Sequence, residues 1–196
     1  MERSAQFERN TNETQIRVSL CVDGRGAATV ATGIGFFDHM LQAWAKHGMI
    51  DLDLKASGDL QVDPHHTIED TGLVLGHALG DALGDKVGIR RFGSAVLPMD
   101  DALVRVVVDL SGRPYTAYRV PLAAAEVGGV PLVLFREFFR AVATSAGLTV
   151  HVDKLAGDEP HHVVEAVFKA FGRAVDEAKG ADPRVIGAPS TKGTLA

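Results

Sequence analysis

A chain of 196 residues, 46% hydrophobic and 23% charged, is long enough to bury a core and too apolar to remain disordered. Lys plus Arg number 20 against 25 Asp plus Glu, a net charge of −5, which excludes nucleic-acid binding driven by bulk positive charge. The single cysteine, Cys21, excludes an internal disulfide and cysteine-cluster metal sites. No apolar run reaches the ~18 residues of a membrane span, and the charged start Met1–Asn10 lacks the apolar stretch of a signal peptide. A reducing cytoplasm is the expected compartment.

In chain order, the β-rich runs Gln15–Val22 and Ala27–Thr32 flank Asp23-Gly24-Arg25-Gly26 and predict a hairpin-like pair. Phe36–Trp44 has the period of an amphipathic helix ending near Gly48, followed by an alternating strand, Ile50–Leu54. Pro64-His65-His66 opens a second helix carrying Ile68, Leu73, Leu75, Leu79 and Leu83, with Gly84 as its stop. The same order then recurs. Ala102–Leu110 and Tyr115–Val120 flank Ser111-Gly112-Arg113-Pro114, and the Gly-rich segment Pro121–Pro131 reads as a loop. Phe135–Val142 is a helix ending near Gly147, and Leu148–Val152 is a strand. Pro160-His161-His162 opens a last helix carrying Val164, Val167, Phe168, Phe171 and Val175, with Gly180 as its stop. The expectation is an α+β protein forming one catalytic domain from two repeated β-β-α-β-α halves. These span roughly residues 3–95 and 96–182, with a C-terminal arm, 183–196.

The shared element Pro-His-His-x-x-Glu, 96 residues apart in its two copies, carries the chemistry. A lone His-His pair is ordinary surface chemistry; two copies at matched helix starts point to metal. His65 with Glu69, and His161 with Glu165, sit one helical turn apart on one face. His66 and His162 are rotated by ~100° and so are placed to serve a different ion. If the halves pack about a pseudo-twofold axis, one ion takes His161, Glu165 and His66, and the other takes His65, Glu69 and His162. His39 and His151, in related parts of the halves, are the natural fourth ligands. A histidine-rich shell with one carboxylate and open positions suits a catalytic ion, and the pattern alone leaves Mn, Fe and Zn open. His47 and His77 stay unassigned on pattern alone.

Basic groups stand in turns: Lys86 to Arg91, Arg113 in Ser-Gly-Arg-Pro, and Lys192 in Pro189-Ser190-Thr191-Lys192-Gly193. Guanidinium forks and an ammonium suit a phosphate. No Walker loop and no G-x-G-x-x-G after a strand is present, which argues against a nucleotide. No G-x-S-x-G occurs, and Cys21 lies mid-strand as a packed thiol. Two rivals fit the histidines. A two-metal phosphoesterase usually carries more Asp, and a metal-storing shell leaves Arg113, Ser190 and Lys192 without a task.

Six ordered motifs extend the picture: Asp38-His39-Met40-Leu41, His65-His66-Thr67-Ile68-Glu69-Asp70, Gly88-Ile89-Arg90-Arg91-Phe92-Gly93, Asp109-Leu110-Ser111-Gly112-Arg113-Pro114-Tyr115, His161-His162-x-x-Glu165-Ala166-x-Phe168-Lys169-Ala170 and Pro189-Ser190-Thr191-Lys192-Gly193. Together, from about Arg9 to Gly193, the chain resembles the imidazoleglycerol-phosphate dehydratases of histidine biosynthesis, in their monofunctional form. The resemblance implies a ribosomal protein S5 domain 2-like fold and two Mn²⁺ per active site. Ligands matching His39, His66, His161 and Glu165 hold one ion; those matching His65, Glu69, His151 and His162 hold the other. It implies a phosphate held by His47, Arg91, Arg113, Ser190 and Lys192, with Thr191 beside them, an acid/base at Glu13, and a substrate contact at Lys169. His39, His65, Glu69 and His161 would meet the substrate as well as metal, and Glu165 would count among the catalytic groups. The implied partners are a small phosphorylated substrate and further copies of the chain in a 24-mer built from trimers, with no nucleic acid and no membrane. One departure is visible: Ala43 stands where many members carry Gln, and the neighbouring Gln42 is on the wrong helix face to replace it.

Overall fold

The computed structural model describes residues 2–124 and 126–195. Two four-stranded sheets of identical topology form its outer layers. The first holds β1 (Ser4–Asn10), β2 (Thr14–Cys21), β3 (Ala28–Ala31) and β4 (Asp51–Gly58) in the order β1-β2-β4-β3. The second holds β5 (Phe92–Met99), β6 (Ala102–Asp109), β7 (Tyr115–Arg119) and β10 (Thr149–Ala156) in the order β5-β6-β10-β7. Between them lie α1 (Gly35–His47), α2 (His65–Leu83), α3 (Val133–Ala146) and α4 (Pro160–Lys179). The loop expected before α3 contains a two-strand ribbon, β8 (Glu126–Val127) with β9 (Val130–Pro131); Ala125 in that loop and Ala196 at the end of the arm lie outside the described residues.

Each half is β-β-β-α-β-α, one strand richer than the sequence pattern gave. β1 is revealed only by the alternation of Ala5 and Phe7 with Gln6 and Glu8. β5 was obscured by Pro98, which an edge strand tolerates because one side of its backbone needs no partner. β5 crosses residues 95 and 96, so the second sheet begins at Phe92.

The expected hairpins do not form. β3 pairs parallel with β4, and β7 parallel with β10, so β4 and β10 come to lie between the two runs. Side chains hold the turns in this arrangement. Asp51 Oδ1 accepts from Arg25 N at 2.8 Å and Ala27 N at 2.9 Å, drawing the Asp23–Gly26 turn to the start of β4. In the second half Thr149 Oγ1 donates to Arg113 O at 3.0 Å and does the same for β10. Each β-α-β unit is thereby a parallel crossover.

The helices start and pack for readable reasons. Glu159 caps α4 by accepting from His162 N at 2.7 Å, with Pro160 in the first turn; Asp63 accepts from His65 N at 2.7 Å at the start of α2. Helices meet across the halves, α2 against α3 and α1 against α4. The apolar stripe of α1 (Phe37, Met40, Leu41, Trp44) and that of α3 (Phe135, Phe138, Phe139, Val142) are wholly buried and merge in one aromatic core. Glycines permit the close crossings. A Cβ on Gly76 would lie 2.7 Å from Val142 O, and one on Gly172 2.6 Å from Trp44 O.

The two outer faces differ. That of the first sheet is polar, with Gln6, Glu8, Arg17, Ser19 and Asp53. That of the second exposes Phe92, Val96, Val107, Tyr115 and Leu155. The arm has no regular structure but is pinned: Gly88 N donates to Gly187 O at 3.0 Å and Asp182 N to Gly88 O at 2.9 Å, and Leu195 is buried. No described helix is long and apolar enough to cross a membrane.

Replacing Gly76 by Val forces α2 off α3 and is expected to cost about 1–3 kcal/mol, read as a lowered midpoint in chemical denaturation.

Candidate active site

The first turn of α4 and the facing turn of α1 make a three-donor cluster. Glu165 is buried, and its Oε2 lies 3.1 Å from His161 Nε2 and 3.2 Å from His39 Nε2. All three donor atoms fall within 4.8 Å of one another, the order of span expected for ligands held at ~2.0–2.2 Å from one ion. Lys169, one turn further along α4, donates from Nζ to Glu165 Oε1 at 2.7 Å. Burial pushes the Glu165 carboxyl up, but the Lys169 ammonium and His39 together hold it below the usual carboxylate range.

The related start of α2 carries His65, whose Nε2 lies 3.2 Å from Glu69 Oε2. Its other oxygen accepts from Arg140 Nη2 at 2.9 Å. The middle histidines face away from both pairs. His66 Nδ1 lies 3.0 Å from Asp59 Oδ2, and Glu13 Oε1 is 3.9 Å from its Nε2. His162 Nδ1 lies 2.8 Å from Asp101 Oδ1. An ionised carboxylate only accepts, so both rings donate from Nδ1, the geometry by which carboxylates orient metal-binding imidazoles; His162 Nε2 lies 3.5 Å from Asp100 Oδ2. Asp59 raises the pKa of His66, and Asp101 that of His162. His151 stands on the outer face of β10 beside Arg119 and Tyr115.

Of the eight metal ligands expected from the sequence, one chain brings three together, His39, His161 and Glu165. The exchange of middle histidines does not close inside the chain: among the described residues His66 forms no three-donor group with them, nor do His65, Glu69, His151 and His162 form one of their own. The helices pack across the halves, α2 on α3 and α1 on α4, and the middle histidines meet Asp59 and Asp101 rather than the three-donor cluster.

Most of the residues expected to hold a phosphate gather around the pinned arm. Arg91, Arg113, Pro189, Ser190, Thr191 and Lys192 line a cleft of about 560 Å³. Arg91 is held by a two-pronged pair to Asp109, Nε to Oδ1 at 2.7 Å and Nη2 to Oδ2 at 3.1 Å, and donates from Nη1 to Pro189 O at 2.8 Å. His47 does not line this cleft; it ends α1, close to Lys169 and Arg173. Sequence reasoning missed Asp59, Asp101, Asp109 and Arg140. None belongs to the repeated motif, and each reaches its partner only through tertiary contact.

Comparison with known proteins now decides the family. The model of imidazoleglycerol-phosphate dehydratase matches residues 32–175. The chain belongs to the imidazoleglycerol-phosphate dehydratase family. It is 53% identical over 195 residues to the imidazoleglycerol-phosphate dehydratase of Lachnoclostridium phytofermentans, covering 100% of each chain, and 56% identical over 194 residues to that of Gluconacetobacter diazotrophicus, covering 98% of each. The crystal structure of the Staphylococcus aureus enzyme superposes with a TM-score of 0.83 at 40% identity, over 91% of this chain and 99% of that one. That of the Pyrococcus furiosus enzyme, solved in complex with (S)-C348, gives 0.82 at 37% identity, over 95% and 99%. The family's members are metal-dependent hydro-lyases of histidine biosynthesis, and this chain is an enzyme of that class.

Burial, then the Lys169 and Arg173 charges, push His47 below its ordinary 6.5. The unfolded chain therefore takes up this proton more readily, so the side chain opposes folding as pH falls below 6.5 and is neutral above it. Lys169→Met is expected to move the His47 titration upward toward the ordinary value, read from its imidazole C–H resonances by NMR.

Proposed function

We propose that the chain dehydrates D-erythro-imidazole glycerol phosphate to imidazole acetol phosphate at a two-manganese site shared between copies. The observation that carries this reading is the His39–His161–Glu165 cluster, whose donor set and span fit a divalent ion. His66 completes that shell in the proposal, and His65, Glu69, His151 and His162 hold the second ion. Among the described residues these ligands do not gather into one group, so in this reading the shells close when copies meet. The outer face of the second sheet, where exposed Phe92, Val96, Val107 and Tyr115 stand beside the Arg105–Asp153–Arg119 ion network, offers the mix of apolar and charged groups common at protein contacts. We read the assembly as a homo-oligomer, a 24-mer built from trimers.

The reaction removes a hydroxyl and a C–H proton from adjacent carbons and releases water. When bound, the ions supply Lewis-acid stabilisation of an imidazole deprotonated at nitrogen. The chain's own groups do the rest. His66 and His162, each anchored through Nδ1, fix the direction of Nε2. Lys169 occupies Glu165 Oε1 and leaves Oε2 turned inward. Glu13, in the β1–β2 turn beside His66 and about half exposed, is the proposed proton carrier, a role typically worth 10²–10⁴-fold. Arg91, Arg113, Ser190 and Lys192, with Thr191 alongside, take the phosphate. They bind the end of the substrate that does not react and so align the end that does. His47, at the end of α1, and Lys169, midway along α4, complete the proposed substrate contacts.

Supplying imidazole glycerol phosphate with Mn²⁺ is expected to yield an enolisable ketone without inorganic phosphate; phosphate release would overturn the reading. Glu165→Gln should lose one ion per chain by metal analysis and abolish turnover. Lys192→Ala should raise KM by about tenfold or more with a smaller change in kcat, since one charge-assisted contact is worth about 1.5–3 kcal/mol.

A further inference from the structure

The two halves solve one electrostatic problem in two ways. The motif makes Glu69 the counterpart of Glu165 and Leu73 the counterpart of Lys169. The buried stripes of α1 and α3 make Arg140 the counterpart of Gln42. At α4 the carboxylate gives one oxygen to Lys169 on its own helix, at 2.7 Å, and keeps the other for imidazole. At α2 no lysine is available, because Leu73 cannot donate. There Arg140 reaches across from α3 and takes Glu69 Oε1 at 2.9 Å, leaving Oε2 for His65 at 3.2 Å. The guanidinium is itself aimed: Glu137 Oε2 accepts from Arg140 Nε at 2.8 Å, and Glu137 Oε1 accepts from Arg136 Nε at 3.1 Å.

We propose that Arg140 is the positioning residue of Glu69, replacing from a neighbouring helix the cation that Lys169 provides for Glu165. The proposal rests on the reading of Glu69 as a ligand. A carboxylate with one oxygen fixed presents the other in a single direction, and outer partners of this kind typically tune metal affinity 10–100-fold. Arg140 touches no reacting atom in this account; it acts through Glu69.

The test is Mn²⁺ binding to the full assembled chain, by calorimetry and by the manganese EPR signal, alongside thermal unfolding without metal. In Arg140→Met one of the two ions is expected to weaken by 10–100-fold, with the other unchanged. Adding Leu73→Lys to that variant rebuilds the α4 arrangement on α2, at a position only partly buried, and should bring the affinity back to within a few-fold of the original. Arg140→Lys should fall between. Unchanged affinity at both ions in Arg140→Met would overturn the proposal. So would an equal loss at both ions accompanied by a lower metal-free melting temperature, because that marks a mere tie between α2 and α3. A wild-type chain that takes up no Mn²⁺ would instead sink the metal reading, and this proposal with it.

Discussion

Glu165 sits in the wall between α1 and α4 with one oxygen on an ammonium and the other facing two imidazole nitrogens. A carboxylate this far from water is tolerated only when its charge is met. The Lys169 contact meets it from one side, and the two histidines, or an ion between them, meet it from the other. Much of the fold serves that arrangement. Gly172 lets α4 approach α1 closely enough for His39 to share the carboxylate with His161. Glu159 and Pro160 fix where α4 begins, and hence which side chains stand in its first turn.

The two halves share this arrangement and meet its charge differently. The cation stands on the same helix at α4 and on the facing helix at α2. The outer face of the first sheet is polar, while that of the second mixes exposed apolar residues with the Arg105–Asp153–Arg119 network. The histidine rotated off each pair acquired its own acid, Asp59 from the loop after β4 in one case and Asp101 from the β5–β6 turn in the other. Equivalent histidines are thus oriented by acids from different places in the repeat.

What could be read from the sequence follows this division between local and distant causes. The starts of α2 and α4 were legible because proline, capping acid and histidine pair lie within a few residues. The ends at Gly48, Gly84, Gly147 and Gly180 were legible for the same reason. The strand pairing was not. Ala28–Ala31 crosses to β4 instead of folding back on β2, and the turn before it is held by Asp51 at the start of β4, a contact that local pattern does not announce. The same holds for the site: i,i+4 spacing announced His161 with Glu165 and His65 with Glu69, whereas the partners of His66, His162 and Arg91 come from other elements. Helix-face geometry set the middle histidines apart from their neighbours; in the structure each meets an acid of its own, and among the described residues His66 does not join the three-donor group.

The arm after α4 has no helix or strand to hold it, yet its Pro189 carbonyl occupies an N–H of Arg91, and Leu195 is tucked from water. One wall of the Arg91–Lys192 cleft is therefore a segment whose order is borrowed from an arginine on the opposite bank. Fixing those residues costs chain entropy during folding rather than on binding, so a ligand entering the cleft would meet it already shaped.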